Sequence, residues 1–364
     1  MANKTKFKIN LSRWTVVAPA LAWVFYALRG SHPGGGYILL LAICLIGAVM
    51  ASVHHAEVVA HKVGEPFGTL VLTVAVTIIE VSLIISLMHT GGPEVNTLAR
   101  DTVFATIMII LSGIIGICLV VGSYRYRVQV FELEGVNAAL AALIAIAVIT
   151  LVLPNYTTSI PGPWYSPKQL GFVAIVTLVI YISFILVQTV RHRSYFLVIL
   201  SEGDKPEHLA PPSVTTTVIS LLVLLCSLLI VVLLADNLAP GTEHWIERMG
   251  APKSLIGVLI SAVVLMPEGI SAIRAAQNNH LQISLNQALG SALASTGLTI
   301  PVVALVGLFG GHSIELGIDS KSTVLLLLSS YIVFLSLRTG RTNILQGVIL
   351  LVIFALYLFL TIFP

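Results

Sequence analysis

Two acidic side chains, Glu80 and Glu268, stand inside long apolar runs. A carboxylate buried among hydrocarbon costs several kcal/mol, so its presence there by default marks function. Each has hydroxyls on its own face at helical spacing. Thr69, Thr73, Thr77 and Glu80 fall at i, i+4, i+8 and i+11, and Ser254, Ser261, Glu268 and Ser271 form a sparser stripe. Carboxylate and hydroxyl oxygens are hard ligands, suited to Na⁺, K⁺ or Ca²⁺, and a carboxylate also takes a proton. Any one hydroxyl in such a stripe more commonly bonds back to its own helix and aids packing.

A second polar element follows each stripe. The first contains Arg100, Asp101, Thr102, Thr106, Ser112 and Gly113, and the second contains Asn278, Asn279, Ser284, Asn286, Gly290, Ser291, Ser295 and Thr299. Gly113 and Gly290 permit close helix approach or a local break, and Pro267 and Pro301 free backbone carbonyls. Interrupted helices at matching places in two halves point to a transporter's midplane site. Asp101 either pairs with Arg100 at a surface or lines the site. Glu65 is either a gate at the mouth of its span or a charge favoured by a helix N-terminus. His54, Glu57 and His61, at i, i+3 and i+7, read either as a cytoplasmic sensor of pH or cations, or as solvated residues on a short interfacial helix.

The elements that hold these residues follow from composition. Of 364 residues 57% are hydrophobic and only 10% charged, against roughly 25% charged in a soluble domain. With a mean hydropathy of +1.00, this excludes a soluble enzyme, a disordered chain and a nucleic-acid binder. Cys44, Cys118 and Cys226 lie in apolar runs with no disulfide or metal spacing. Apolar runs fall near 14–28, 35–53, 66–88, 102–124, 136–153, 169–190, 213–235, 254–273, 281–310, 322–337 and 344–364. They are continuous rather than alternating, which predicts about eleven transmembrane helices and not a β-barrel. Placing the N-terminus in the cytoplasm puts thirteen of the nineteen Lys and Arg residues inside. Trp14, Trp164 and Trp245 sit near span ends as interface anchors.

Glu80 and Glu268 each lie fourteen residues into their runs, counted from Pro66 and Ser254, or about 21 Å along a helix. The two runs cross in opposite directions. Setting the first helix aside, ten spans divide into two sets of five, and an odd number inverts the second set. The expected organisation is residues 1–34 as N-terminus and extra helix, 35–190 as the first five-helix repeat, 191–212 as a cytoplasmic linker, and 213–364 as the second repeat.

The stretch Gly64-Glu65-Pro66-Phe67-Gly68, leading through Thr77 to Glu80, resembles the first signature repeat of the cation/proton exchangers in the calcium/cation antiporter superfamily. Pro267-Glu268-Gly269, Asn278-Asn279 and Leu285-Asn286-Gln287-Ala288-Leu289-Gly290-Ser291 resemble the second. With the His55-Ala56-Glu57 to His61 lead-in and the Arg338-Thr339-Gly340-Arg341-Thr342-Asn343 turn, the chain is most similar to bacterial Cha-type calcium (sodium-potassium)/proton antiporters. The resemblance implies one extra helix plus two inverted five-helix repeats in the inner membrane. It implies cation and proton binding at Glu80 and Glu268 in turn, with Thr77, Asn286 and Ser291 beside them. Supporting or gating roles then fall to Glu65, Asp101, Thr73, Pro267, Gly290 and Asn278. The partners would be inorganic cations (Ca²⁺, Na⁺ or K⁺), protons and the lipid bilayer, with no cofactor and no nucleic acid. Three departures stand out. The Asn of the calcium exchangers' first core is absent from Val76-Thr77-Ile78-Ile79-Glu80, the Ala-Glu-His of the second repeat reads Pro267-Glu268-Gly269, and the acidic tract between the halves shrinks to Glu202, Asp204 and Glu207. The sequence carries no His-Glu-x-x-His, Gly-x-Ser-x-Gly or P-loop pattern that would place an enzyme here. A channel would use oligomeric rings around a pore. A channel and a sodium-coupled cation exchanger are the alternatives to a proton antiporter.

Overall fold

A computed structural model describes residues 12–28, 35–64, 67–90, 96–196, 212–248, 252, 254–310 and 314–363. Those residues form eleven helices: α1 (Arg13–Ala27), α2 (Gly35–Val63), α3 (Phe67–Thr90), α4 (Leu98–Tyr126), α5 (Leu133–Tyr156), α6 (Pro167–Arg191), α7 (Val214–Arg248), α8 (Ser254–Gln277), α9 (Leu281–Gly310), α10 (Ser320–Leu337) and α11 (Ile344–Ile362). Nine are long and apolar enough to cross a membrane, among the described residues. The chain is thus an all-α polytopic membrane protein.

α2 ends where backbone chemistry stops it rather than where hydropathy falls. The apolar run near 35–53 predicts a short second span, yet α2 continues to Val63. No glycine or proline intervenes before Gly64, which takes φ +77°. His54, Glu57 and His61 therefore belong to a transmembrane helix and not to a separate interfacial one. A second departure concerns the expected breaks. α8 runs unbroken through Pro267, and α9 runs unbroken through Gly290 and Pro301. Irregularity lies instead in π-helical turns, in α4 at Ile109–Ile114 (containing Ser112 and Gly113), in α5 at Val148–Val152 and in α6 at Val187–Arg191. Such a turn adds one residue to a helical turn and shifts the register of everything beyond it.

Two compact units make up the chain: Met1–Ser86 with Ile199–Gly241, and Leu87–Val198 with Thr242–Pro364. Each takes helices from both halves of the sequence.

In the first unit, Ala56 of α2, Ala75 of α3 and Leu224 of α7 form a buried core, with Leu72 and Leu228 packed on it. α1 lies on α2. Pro19 has no N–H, so the carbonyl of Thr15 loses its helical donor. The His55 ring of α2 fills the gap, its Nε2 3.2 Å from the Thr15 oxygen and both residues fully buried. At the other end of α1, the Tyr37 hydroxyl donates to the Phe25 carbonyl.

The second unit is built around α4, which is almost wholly buried. Glycines let its neighbours come close. A Cβ on Gly347 of α11 would lie 2.8 Å from the Gly116 carbonyl oxygen and 2.7 Å from the Val120 nitrogen. At one end of the unit, β1 (Gln129–Val130) pairs antiparallel with β2 (Arg341–Thr342). There Gln129 Nε2 donates to the Ala276 carbonyl at 3.0 Å, and Arg125 donates to the Gln277 carbonyl at 3.2 Å. At the other end, residues 314–318 form a buried non-helical strap. Its N–H groups donate to Asn96, Pro163 and Leu151 carbonyls. These bonds join loops and helix ends that the alternating path of the spans places on one face. A helix missed or added between them would put the partners on opposite faces. Tyr165, just outside α6, donates at 2.6 Å to the Ile149 carbonyl, and burial pushes its phenol up to about 12.

Gly347→Ala is expected to force α11 from α4 and to destabilise the protein by about 1–3 kcal/mol. Gly36→Ala, whose Cβ meets nothing within 4 Å, should leave stability unchanged or slightly raised. Thermal melting of the detergent-purified variants checks both.

Candidate functional site

Each unit buries one of the two carboxylates. In the first, Glu80 stands on α3 thirteen residues after Phe67, about 20 Å along the helix. It is 1% exposed, and Thr77 one turn before it is 7% exposed. Thr73, a further turn back, is half-buried. The face predicted from spacing is thus a buried oxygen face at Thr77 and Glu80. In the second unit, Glu268 of α8 is 8% exposed. Pro267 before it withholds an N–H from the Val263 carbonyl. Gly269 after it packs on the π turn of α4, where a Cβ would meet Ile114 at 3.2 Å.

The remaining expected residues divide by position. On α9, Ser291 is half-buried, and Ser295 and Thr299 are buried along the same face. Asn286 is otherwise engaged. It lies five residues into α9, where its Nδ2 donates to the Phe196 carbonyl at 2.9 Å and its Oδ1 accepts from Gln282 at 3.1 Å. Asn278 is exposed in the turn after α8, ten residues beyond Glu268, or about 15 Å along the helix. A Cβ on Gly290 would meet nothing within 4 Å, so no close approach requires the glycine. Glu65 lies outside the described residues.

His54 and Glu57 are half-buried and His61 is exposed. The His54 ring stands 6.2 Å from Trp14 and 5.6 Å from His55. Among the described residues no three His, Cys, Asp or Glu side chains gather to hold a metal ion.

Several buried hydroxyls bond back to their own helix. Thr102 donates to Leu98, Ser112 to Met108, Thr150 to Ile146, Thr177 to Val173 and Thr296 to Ala292, at 2.6–2.8 Å. Thr106 and Ser261 do not: the Thr106 hydroxyl donates to Ser261 Oγ at 3.0 Å, and Ser261 donates to the Thr102 carbonyl at 2.8 Å.

Asp101 has a definite partner. Arg100 Nε donates to Asp101 Oδ1 at 2.9 Å, and Thr97 donates to Asp101 Oδ2 at 3.1 Å. The same guanidinium pairs with Glu315 and donates to the Gly317 carbonyl at 3.0 Å, so it ties the start of α4 to the strap. Sequence spacing offers Arg100 to Asp101 as a neighbour, but nothing in it marks Glu315, 215 residues away. A cavity of about 240 Å³ opens beside this cluster, lined by Asp101, Ser254, Asp319, Lys321 and Tyr357 among others.

Arg100→Gln leaves Asp101 and Glu315 without their cation. It is expected to cost about 2–4 kcal/mol of stability, since removing one partner of a part-buried pair strands the other. Asp101→Asn keeps a hydrogen-bond acceptor and should cost less. The order of the two melting midpoints checks this.

The sodium/calcium exchanger protein family matches residues 34–190 and 219–363. The protein y4hA of Sinorhizobium fredii is 43% identical over 359 residues, covering 96% of each chain. The sodium-potassium/proton antiporter ChaA of Escherichia coli is 35% identical over 356 residues, again 96% of each. Among solved structures, native YfkE superposes with a TM-score of 0.74 at 16% identity, covering 96% of this chain and 99% of that one. The H⁺/Ca²⁺ exchanger CAX superposes at 0.71 and 15% identity, covering 94% and 86%. A fold of this kind, with a buried carboxylate on a polar helix face in each unit and a sequence match over most of its length, places the chain in the sodium/calcium exchanger family, within the calcium/cation antiporter superfamily.

Proposed function

We propose that the protein is a secondary active cation/proton antiporter that exports Ca²⁺, Na⁺ or K⁺ in exchange for protons, with Glu80 and Glu268 binding cation and proton in turn. The observation that carries this reading is the burial of one carboxylate at matching depth on α3 and on α8, the corresponding helices of the two halves. Buried carboxylates need either a cation or a proton. Two of them release two protons for one divalent ion, or one proton for each monovalent ion. Competition between the two occupants is the exchange. Thr77 on the face of Glu80 supplies a neutral oxygen to an ion held there, and Ser291 does so on α9.

The names of relatives support this choice of ions. ChaA of Escherichia coli is a sodium-potassium/proton antiporter, and CAX is an H⁺/Ca²⁺ exchanger. The family match in two segments, 34–190 and 219–363, supports two repeats at 35–190 and 213–364. The excess of Lys and Arg on one set of loops supports an inner-membrane protein with a cytoplasmic N-terminus. Movement of one repeat against the other would alternate access to the carboxylates.

In everted membrane vesicles, addition of Ca²⁺, Na⁺ or K⁺ in turn should collapse a preformed proton gradient with saturating dependence on the transported ion. Glu80→Gln and Glu268→Gln should each lower that rate by at least about 100-fold, as loss of an essential proton-carrying group does. Glu134→Gln, at an exposed position in the first turn of α5, should leave it unchanged. Wild-type rates in either buried-glutamate variant contradict the reading.

A further inference from the structure

The seam between α4 and α8 lies wholly within the second unit. On α8, Gly257, Ser261, Leu265 and Gly269 stand four residues apart and all are buried. On α4, Thr102, Thr106, Ile110 and Ile114 make a matching buried row. The rows meet in step and run in the same direction. A Cβ on Gly257 would lie 2.8 Å from the Asp101 carbonyl carbon and the Thr102 nitrogen. Ser261 sits between Thr102 and Thr106, and Gly269 meets Ile114. Rows of this spacing pack as ridges into grooves.

Small and apolar rows bring helices together but do not fix how far one has slid along the other, because dispersion contacts are non-directional. A hydrogen bond does fix it: a slip of one residue moves a partner by about 1.5 Å, which breaks a 3.0 Å bond. In this seam Thr106 and Ser261 hold such a bond between side chains. Both forgo the bond to their own helix that Thr102, Ser112 and Thr296 make. Glu268 stands seven residues beyond Ser261, two turns along the same stripe, and next to Gly269 in the row.

We propose that Ser261 and Thr106 are positioning residues that pin the register of α8 on α4, and so set the depth and rotation of the Glu268 carboxylate without touching the ion. This rests on the reading of Glu268 as a cation- and proton-binding residue. Ser261, which its place on the polar stripe of α8 offers as an oxygen ligand, is thereby assigned to the helix contact instead.

The test uses the full-length protein in proteoliposomes, with Ser261→Ala, Thr106→Val, the double variant and the conservative Thr106→Ser. Either single change is expected to raise the half-saturating cation concentration about tenfold or more, as the loss of an outer-shell partner does. It should also displace the pH profile of exchange, while the maximal rate changes less. The double variant should be no worse than the worse single, and Thr106→Ser should behave as wild type. Unchanged affinity and pH profile overturn the proposal. So does a loss that follows melting temperature alone and is additive in the double variant. If Glu268→Gln exchanges normally, the functional reading falls. The pin is then judged by melting alone, where a non-additive double variant supports it and an additive one overturns it. If Ser261→Ala fails to fold, the reciprocal swap Ser261→Thr with Thr106→Ser carries the test. Retained affinity supports the pin, and an affinity as poor as that of Thr106→Val overturns it.

Discussion

A carboxylate in hydrocarbon must be neutralised by an ion or by a proton, and the arrangement of this protein follows from having accepted that constraint twice. Glu80 and Glu268 are both buried, on helices whose other residues are mostly apolar or hydroxyl-bearing. Neither position is explained by packing, since Leu or Met would fill the same volume without the cost of a buried charge. On the proposed reading, the need to choose between a cation and a proton at each position is the physical content of exchange. Asp101, Arg125, Glu134 and Arg274 stand instead in the first or last turns of their helices.

The same avoidance of unpaired polar groups governs the backbone. A transmembrane helix has no water to complete a missing hydrogen bond. Where Pro19 withholds a donor from Thr15, His55 supplies one from α2. Tyr165 likewise donates to the Ile149 carbonyl within the π turn of α5, just ahead of Pro154. The buried strap at 314–318 gives its N–H groups to three different segments. Arg100 joins that strap to α4 by taking two carboxylates and a carbonyl at once, as a planar guanidinium can and an ammonium cannot.

Hydrophobicity and spacing make the number of helices legible, along with the burial of the two glutamates and the polar face at Thr77. These depend on composition over a span, which a single sequence carries well. The limits of α9 at 281 and 310 match its apolar run for the same reason. Features decided by one bond are less legible. The apolar run ending at 53 does not reveal that α2 continues to Val63, because helices stop at backbone signals such as Gly64 and tolerate polar side chains. The π turn at Ile109–Ile114 leaves the apolar pattern of α4 intact and so has no compositional trace. Pro267 and Gly290 suggest breaks, yet α8 and α9 continue through them. Asn286 has the chemistry of an ion ligand, yet its closeness to the start of α9 puts it within reach of the Phe196 carbonyl.

The central claim is that cation and proton compete for the same buried carboxylates. Proton release on cation binding, measured by calorimetry of the purified protein in buffers of different ionisation enthalpy, tests it without transport. The account predicts that the transported cation displaces protons from the wild-type protein and that the Glu80→Gln and Glu268→Gln variants each release fewer. Binding with no proton release, or undiminished release from both variants, would contradict it.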